Sequence, residues 1–304
     1  MRRAIVQRFC QTLEPQISPP RSFASRASGT LTTVTISKGS EMSTAAHEFR
    51  KSILDPSAPP LIGPLLNGID NVELLSMLKF DYIFLDLEHS MITLPEAKTA
   101  YTAAQLRGKP VLARLGSRCA FEVARHLDSG AASILFPMVN SAEDADFCVR
   151  ACRFPPLGRR GRANLRWNGF GLDKVKVGES SGEAGVRHRG NTAVSVGIQI
   201  ETVEALNNLS DIISVEGVDF VFLGSMDIAT DMGLDSLESP LVRNTILDAG
   251  RMITERGICK GTLTATKEDL RFWTEAGFRM NVCLANKFLV EGAEQFLKGR
   301  EENL

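Results

Sequence analysis

The chain has 304 residues, 43% hydrophobic and 23% charged, with a formal net charge of −1. That length suits one large domain or two small ones, and so balanced a charge gives no global field to draw nucleic acid or a membrane surface. No apolar run approaches the roughly 20 residues that span a bilayer.

The charge is uneven along the chain. Residues 1–40 carry six bases (Arg2, Arg3, Arg8, Arg21, Arg26, Lys38) against one acid, Glu14, in a segment also rich in Ser, Thr and Ala. Basic, acid-poor and hydroxyl-rich is the composition of a mitochondrial presequence. Within it, Arg21-Ser22-Phe23-Ala24-Ser25 has an Arg two residues before an aromatic, as at a matrix processing site. The segment is expected to be disordered and to address the protein to the mitochondrial matrix. A tail with no address would leave it in the cytoplasm.

From residue 45 onward strand and helix patterns alternate, and residues 45–304 are expected to form one domain. Short apolar runs rich in β-branched residues predict strands at 61–66, 82–87, 111–115, 133–136, 194–200, 220–223, 258–262 and 280–284. Helical patterns follow most of them, at 71–79, 94–107, 120–129, 142–152, 203–214, 240–256, 267–276 and 285–298. Eight such alternations predict an α/β fold, a (β/α)8 TIM barrel. A doubly wound open sheet rarely needs eight parallel strands.

Local signals mark several boundaries. Thr266 is placed to cap the helix from Lys267, with Asp269 at the third helical position. Gly108, Gly130, Gly257 and Gly277 each end a helical pattern, as C-cap glycines do. Residues 157–192 are the longest irregular stretch and are expected to cover or line the active site as a long βα loop. The six cysteines form no Cys-x-x-Cys pair and read as buried reduced thiols.

In such a barrel, polar residues at the C-terminal ends of strands are the site candidates. Strand two delivers Asp86-Leu87-Glu88-His89-Ser90, strand three Arg114, and strand five Gln199 and Glu201. Asp227 follows strand six. Glu201 and Asp227 offer two oxygen ligands and no nitrogen, which suits Mg²⁺ or Mn²⁺ with waters and substrate completing the shell. For a lone acid, a salt-bridged rim residue is the better reading. For two at equivalent places on successive strands, the metal is favoured.

Arg114, after an apolar run, reads equally as a fork for a substrate oxygen or as a structural ion pair to Asp86 or Glu88. His89 is the proton-carrier candidate, with Asp128 in the next βα unit to orient it. His47 and His126 read as residues with no role, and His188 stays open. No nucleophile elbow, phosphate loop or dinucleotide fingerprint is present, and Lys260 and Lys287 are only weak Schiff-base candidates.

Taken together, these segments resemble the HpcH/HpaI family of class II pyruvate aldolases. The resemblance is carried by Phe80-Asp81-Tyr82 with Asp86-Leu87-Glu88-His89, by Gly130-Ala131-Ala132 with Pro137-Met138-Val139-Asn140-Ser141, and by Pro155-Pro156-Leu157-Gly158-Arg159-Arg160-Gly161. It continues through Gln199-Ile200-Glu201-Thr202 and from Gly217-Val218-Asp219 to Asp227.

It implies a metal-dependent aldolase that cleaves a 4-hydroxy-2-oxo acid to pyruvate and an aldehyde through a metal-stabilised enolate. Glu201 and Asp227 would bind the divalent cation (Mg²⁺ or Mn²⁺ first, Co²⁺ or Zn²⁺ as alternatives). Arg114 would contact the keto or enolate oxygen. His89, supported by Asp128, would handle protons, and Gln199 would stand beside the metal. Gly224 and the backbone of Ser225 and Met226 would receive the pyruvate carboxylate.

The resemblance also implies a homo-oligomer, a hexamer or trimer of dimers, with the C-terminal helix exchanged between subunits. The chain departs from the family pattern at Ser225-Met226, where Pro and a small residue are usual. An acid stands at the place of His89 in the related CoA-ester lyases, which argues against a citryl- or malyl-CoA substrate. The rival readings are an oxaloacetate-type decarboxylase or carbon–carbon bond former using the same enolate, and a degenerate barrel serving as an interaction scaffold.

Overall fold

The computed structural model describes residues 41–171, 182–234 and 239–301, which belong to one compact unit. The expected presequence, residues 1–40, lies outside them. Helix α1 (Glu41–Leu54) comes first, followed by β1 (Leu61–Leu66), α2 (Val72–Ser76), β2 (Ile83–Asp86), α3 (Leu94–Leu106), β3 (Val111–Arg114) and α4 (Ala120–Ser129). Next come β4 (Ser133–Phe136), α5 (Ala142–Cys152), α6 (Gly182–Ala193), β5 (Ser195–Ile200), α7 (Val203–Asn207) and α8 (Leu209–Ile212). The chain continues through β6 (Phe220–Leu223), α9 (Ser225–Asp231), α10 (Pro240–Glu255), β7 (Cys259–Leu263), α11 (Lys267–Glu275), β8 (Met280–Leu284) and α12 (Ala285–Glu301). The eight strands pair in parallel and in sequence order, and β8 closes on β1, so the predicted (β/α)8 barrel is the observed fold.

Strand alternation divides the apolar residues into two cores. Ile83 and Leu85, Val111 and Ala113, Ile134 and Phe136, Val196 and Ile198 face the helices. Tyr82, Phe84, Leu112, Leu135, Phe220, Phe222, Met280 and Val282 fill the barrel interior. Continuing the inward set by one step puts Asp86, Arg114 and Gln199 in the top layer, where apolar filling gives way to polar groups. The register sets Asp86 directly beside Arg114.

Small residues make room for the rings inside. Gly197 pairs with Phe220, and a Cβ on it would stand 2.1–2.6 Å from the Phe220 ring atoms. Gly197→Ala is expected to lower stability by about 1–3 kcal/mol through overpacking, measured by urea unfolding. An unchanged midpoint would mean that the ring reseats freely.

The bottom of the barrel is plugged by α1, a helix that precedes the first predicted strand and that no predicted element covers. Its Phe49 and Ile53 join the inner core, the Phe49 ring lying 5.2 Å from that of Tyr82. Arg279 donates to the Ile53 carbonyl at 3.2 Å. Arg50 reaches Asp219, donating from Nε at 3.1 Å and NH2 at 2.7 Å. Asp219 also accepts from Arg153 NH2 at 2.9 Å and from the Val196 N–H at 2.8 Å. One buried carboxylate therefore joins α1, the end of α5 and the start of β5.

The boundary signals hold. Gly108, Gly130, Gly257 and Gly277 have φ of +70°, +118°, +76° and +81°, and Thr266 Oγ1 accepts from the Asp269 N–H at 3.0 Å. The helix expected over 203–214 is instead two pieces meeting at Asn208, whose side chain donates to the Asn140 carbonyl at 2.9 Å. Among the described residues Cys119, Cys148, Cys152, Cys259 and Cys283 are free thiols.

One expectation is corrected. Residues 157–192 follow a helix, α5, and not a strand, so the chain has already returned to the strand-start end of the barrel. Their 3-10 turn at Arg166–Gly171 packs against α1, α4 and α6. The described part of the stretch thus lies on the face opposite the rim. Residues 172–181 are outside the described set.

Candidate active site

Glu201 directly follows β5, where Thr202 turns the chain, its Oγ1 accepting from the Ala205 N–H at 3.0 Å as the cap of α7. The Glu201 carboxylate is only 3% exposed. Its Oε1 accepts from the Met138 N–H at 2.6 Å, and its Oε2 accepts from the Gln199 side-chain amide. Both donors are neutral. Gly224 closes over it, where a Cβ would stand 3.0 Å from Glu201 Cβ and 3.2 Å from Oε2. Asp227 is in the first turn of α9 and exposed.

Burial pushes Glu201 up to about 7, with the nearby charges of Glu88 and Asp227 adding to it and the Met138 and Gln199 bonds opposing it. Glu88 also moves upward through burial, against Arg114 and His89. A desolvated carboxylate with neutral donors and two further acids within electrostatic reach has no positive charge bonded to it, Arg114 acting on it only at a distance. A divalent cation supplies that charge, and oxygen-only ligands suit a hard one. Among the described residues no group of three or more His, Cys, Asp or Glu side chains is arranged to enclose a metal ion.

Arg114 stands on the same rim. It donates from Nε to Asp86 Oδ1 at 2.9 Å and from NH2 to Asp86 Oδ2 at 2.8 Å, while NH1 lies 3.3 Å from Glu88 Oε2. The ion pair left open in the sequence is thus present. Asp86 is further braced by the Asn67 amide at 2.9 Å and the Glu88 N–H at 3.1 Å. This fork holds the guanidinium plane fixed, with its NH1 edge toward Glu88.

His89 is 65% exposed, its Nε2 3.7 Å from Glu88 Oε2. Asp128 does not meet it within the chain. Asp128 sits at the far end of α4, ten residues long, which runs from the rim back toward the strand starts. Its Oδ1 accepts from Arg160 NH2 at 2.8 Å. The group beside His89 is Glu88, which the sequence placed on the rim as an alternative ion-pair partner of Arg114 and not as a partner of His89.

Of the other candidates, His126, Lys260 and Lys287 resolve as structural. His126 is buried against the Tyr101 hydroxyl at 2.7 Å, and burial pushes it down to about 4. Lys260 points into the helix layer, donating to the Gly250 carbonyl at 3.1 Å below the Phe278 ring. Lys287 donates to the Ala265 carbonyl at 2.7 Å. Ser225 opens α9, and Met226 beside it is exposed. Asn67 carried no sequence signal, and Met138, although it lies in the motif after β4, gave no sign of its φ of +53°, unusual for a residue with a side chain.

The chain is similar to named aldolases over most of its length. A 4-hydroxy-2-oxo-heptane-1,7-dioate aldolase of Klebsiella pneumoniae is 36% identical over 232 residues, 74% of this chain and 82% of that protein. A 4-hydroxy-2-oxovalerate aldolase of Rhodococcus jostii is 29% identical over 257 residues, 83% of this chain and 89% of that protein. The crystal structure of an HpcH/HpaI aldolase from Desulfitobacterium hafniense superposes with a TM-score of 0.73 at 28% identity, covering 80% of this chain and 93% of that one. The family model described as HpcH/HpaI aldolase/citrate lyase matches residues 67–278, and the chain belongs to that family.

Proposed function

We propose that this protein is a divalent-metal-dependent aldolase that cleaves a 4-hydroxy-2-oxo acid to pyruvate and an aldehyde, or joins the two. The observation that carries the reading is the buried Glu201 carboxylate, held by neutral donors beside Asp227 and Glu88 on the rim that also bears Arg114. Both aldolases compared above are named for 4-hydroxy-2-oxo acids, which supports that substrate class.

Glu201 and Asp227 would hold the cation, and their oxygen-only donor set favours Mg²⁺ or Mn²⁺ over Co²⁺ or Zn²⁺. When bound, the cation supplies the Lewis acidity that stabilises the enolate left by carbon–carbon cleavage. Arg114, its other edge locked on Asp86, offers NH1 to the same developing oxygen charge. His89 takes the 4-hydroxyl proton, with Glu88 at 3.7 Å to balance the charge it gains. Gln199 fixes the second oxygen of Glu201. Gly224 leaves space above that carboxylate. The N–H groups of Ser225 and Met226, in the first turn of α9 and without intrahelical partners, are the donors we assign to the substrate carboxylate.

A second reading, oxaloacetate decarboxylation, uses the same enolate and the same residues. The separating experiment assays pyruvate over a panel of 4-hydroxy-2-oxo acids and oxaloacetate. Pyruvate formed together with an equivalent of aldehyde is the expected result, and turnover of oxaloacetate alone would replace the aldolase by the decarboxylase.

A homo-oligomer completes the reading. The start of α12 docks on the barrel, Phe288 lying 6.3 Å from Phe80, but Leu289 is 70% and Phe296 84% exposed, with Val290 and Leu297 also outward. So contiguous an apolar face belongs against another subunit, and exchange of this helix between copies would cover it. Among the described residues no helix is long and apolar enough to cross a membrane. The basic, acid-poor composition of residues 1–40 supports delivery to the mitochondrial matrix.

A further inference from the structure

Arg118, in the β3–α4 connection, has no role in the reading above. Its NH1 donates to the Met138 carbonyl, and its NH2 lies 3.0 Å from Asp144 Oδ1. Asp144 is itself fixed. Its Oδ2 accepts from the Asn140 N–H at 3.0 Å, and its own N–H donates to Ser141 Oγ at 3.1 Å. Arg118 therefore ties one rim loop to the next, and the tie ends on Met138.

Met138 has a φ of +53°, a left-handed conformation that a side chain disfavours. The conformation persists because both flanking peptides are held. On one side the Met138 N–H donates to Glu201 Oε1 at 2.6 Å. On the other, Arg118 holds the Met138 carbonyl while the Val139 N–H donates to the Gln199 carbonyl at 3.3 Å. Without Arg118 only that longer contact orients the 138–139 peptide. The residue then relaxes toward the conformations a methionine prefers, and its N–H turns away from Glu201.

We propose that Arg118 is a positioning residue for the cation site: it holds the left-handed turn at Met138 and thereby aims the Met138 N–H that presets Glu201 for a divalent ion. The proposal rests on the reading of Glu201 as a metal ligand. Its sign separates it from a charge effect. Arg118 is a cation on the rim that carries a cation site, so by Coulomb repulsion alone its removal would tighten metal binding. Loss of positioning weakens it.

The test is calorimetric titration of the full-length protein with Mn²⁺, without substrate. It compares the native chain with Arg118→Ala, Arg118→Lys, Met138→Gly, Arg118→Ala/Met138→Gly and Glu201→Gln, and metal-free unfolding midpoints confirm that each is folded. Arg118→Ala is expected to weaken Mn²⁺ about tenfold. Arg118→Lys, which still donates to the carbonyl, should retain most of the affinity. Glycine adopts a positive φ unaided, so in the Met138→Gly background the loss of Arg118 should matter less than about threefold.

Unchanged or tighter Mn²⁺ binding by Arg118→Ala, with binding abolished in Glu201→Gln, would overturn the proposal. An equal loss in both backgrounds would overturn the turn as its route. Mn²⁺ binding that survives Glu201→Gln would instead overturn the metal reading of Glu201.

Discussion

Glu201→Gln is expected to reduce pyruvate release by about a thousandfold while making the metal-free protein more stable. The first effect is the loss of a charged metal ligand. It removes several kcal/mol of transition-state stabilisation, and each 1.36 kcal/mol is roughly tenfold in rate. The second follows from burial, which lifts the Glu201 carboxyl from its ordinary 4.5 to about 7. Between those values the folded state binds the proton more tightly than the unfolded chain. Metal-free stability therefore falls as pH rises from 4.5 through 7, by ~3 kcal/mol in all.

A neutral glutamine escapes that penalty. Its oxygen can still accept from the Met138 N–H. Gln199, whose buried Oε1 lacks a partner, can turn its amide to accept from the new NH2. At about pH 8 without metal, the unfolding temperature should rise by on the order of 5–10 °C, and the loss of stability between pH 4.5 and 7 should flatten. The same linkage makes metal binding release a proton below about pH 7, so affinity for Mn²⁺ should drop as the solution is acidified. A variant that is inactive but no more stable in mildly alkaline, metal-free solution would place the strain elsewhere.

Asp219→Asn is the largest expected loss of stability. Asp219 is 3% exposed and accepts from Arg50, Arg153 and the Val196 N–H, with Arg153 nearly as buried. Removing its charge leaves the Arg153 guanidinium without compensation, for which about 3–5 kcal/mol is typical. In a domain of this size that corresponds to a fall of about 10 °C or more in unfolding temperature. Asp219 precedes β6 at the bottom of the barrel, whereas the site is at the top. At temperatures where the variant is folded, kcat and KM should be close to native. A fall in kcat without a fall in stability would contradict the separation of the two ends.

The barrel was legible in the sequence because its signals are local. Strand alternation, C-cap glycines such as Gly130 and Gly277, and the Thr266–Asp269 box all act within a few residues. The rim positions of Arg114, Gln199 and Glu201 were legible for the same reason, since each stands at or just past the end of an apolar strand.

What was missed depends on partners remote in sequence. Helix α1 has few large apolar residues and matters because Phe49 and Ile53 plug the barrel. Helix α6 packs through small residues, Gly190 lying against Phe154 and Trp167, so no apolar stripe marked it. Asp128 suited His89 because it lies in the next βα unit, but a helix carries it to the opposite face, where Arg160 takes its carboxylate. The left-handed Met138 is likewise a product of tertiary bonds, to Glu201 and Arg118, with no sequence signature of its own.

The central claim is that Glu201 and Asp227 hold a divalent cation on which aldol cleavage depends. Its most direct test is pyruvate release from a 4-hydroxy-2-oxo acid by protein dialysed against EDTA, then titrated with Mn²⁺ or Mg²⁺. The account predicts no release above background until the cation is returned, and full recovery at about one ion per chain. Pyruvate release that survives EDTA undiminished would contradict it.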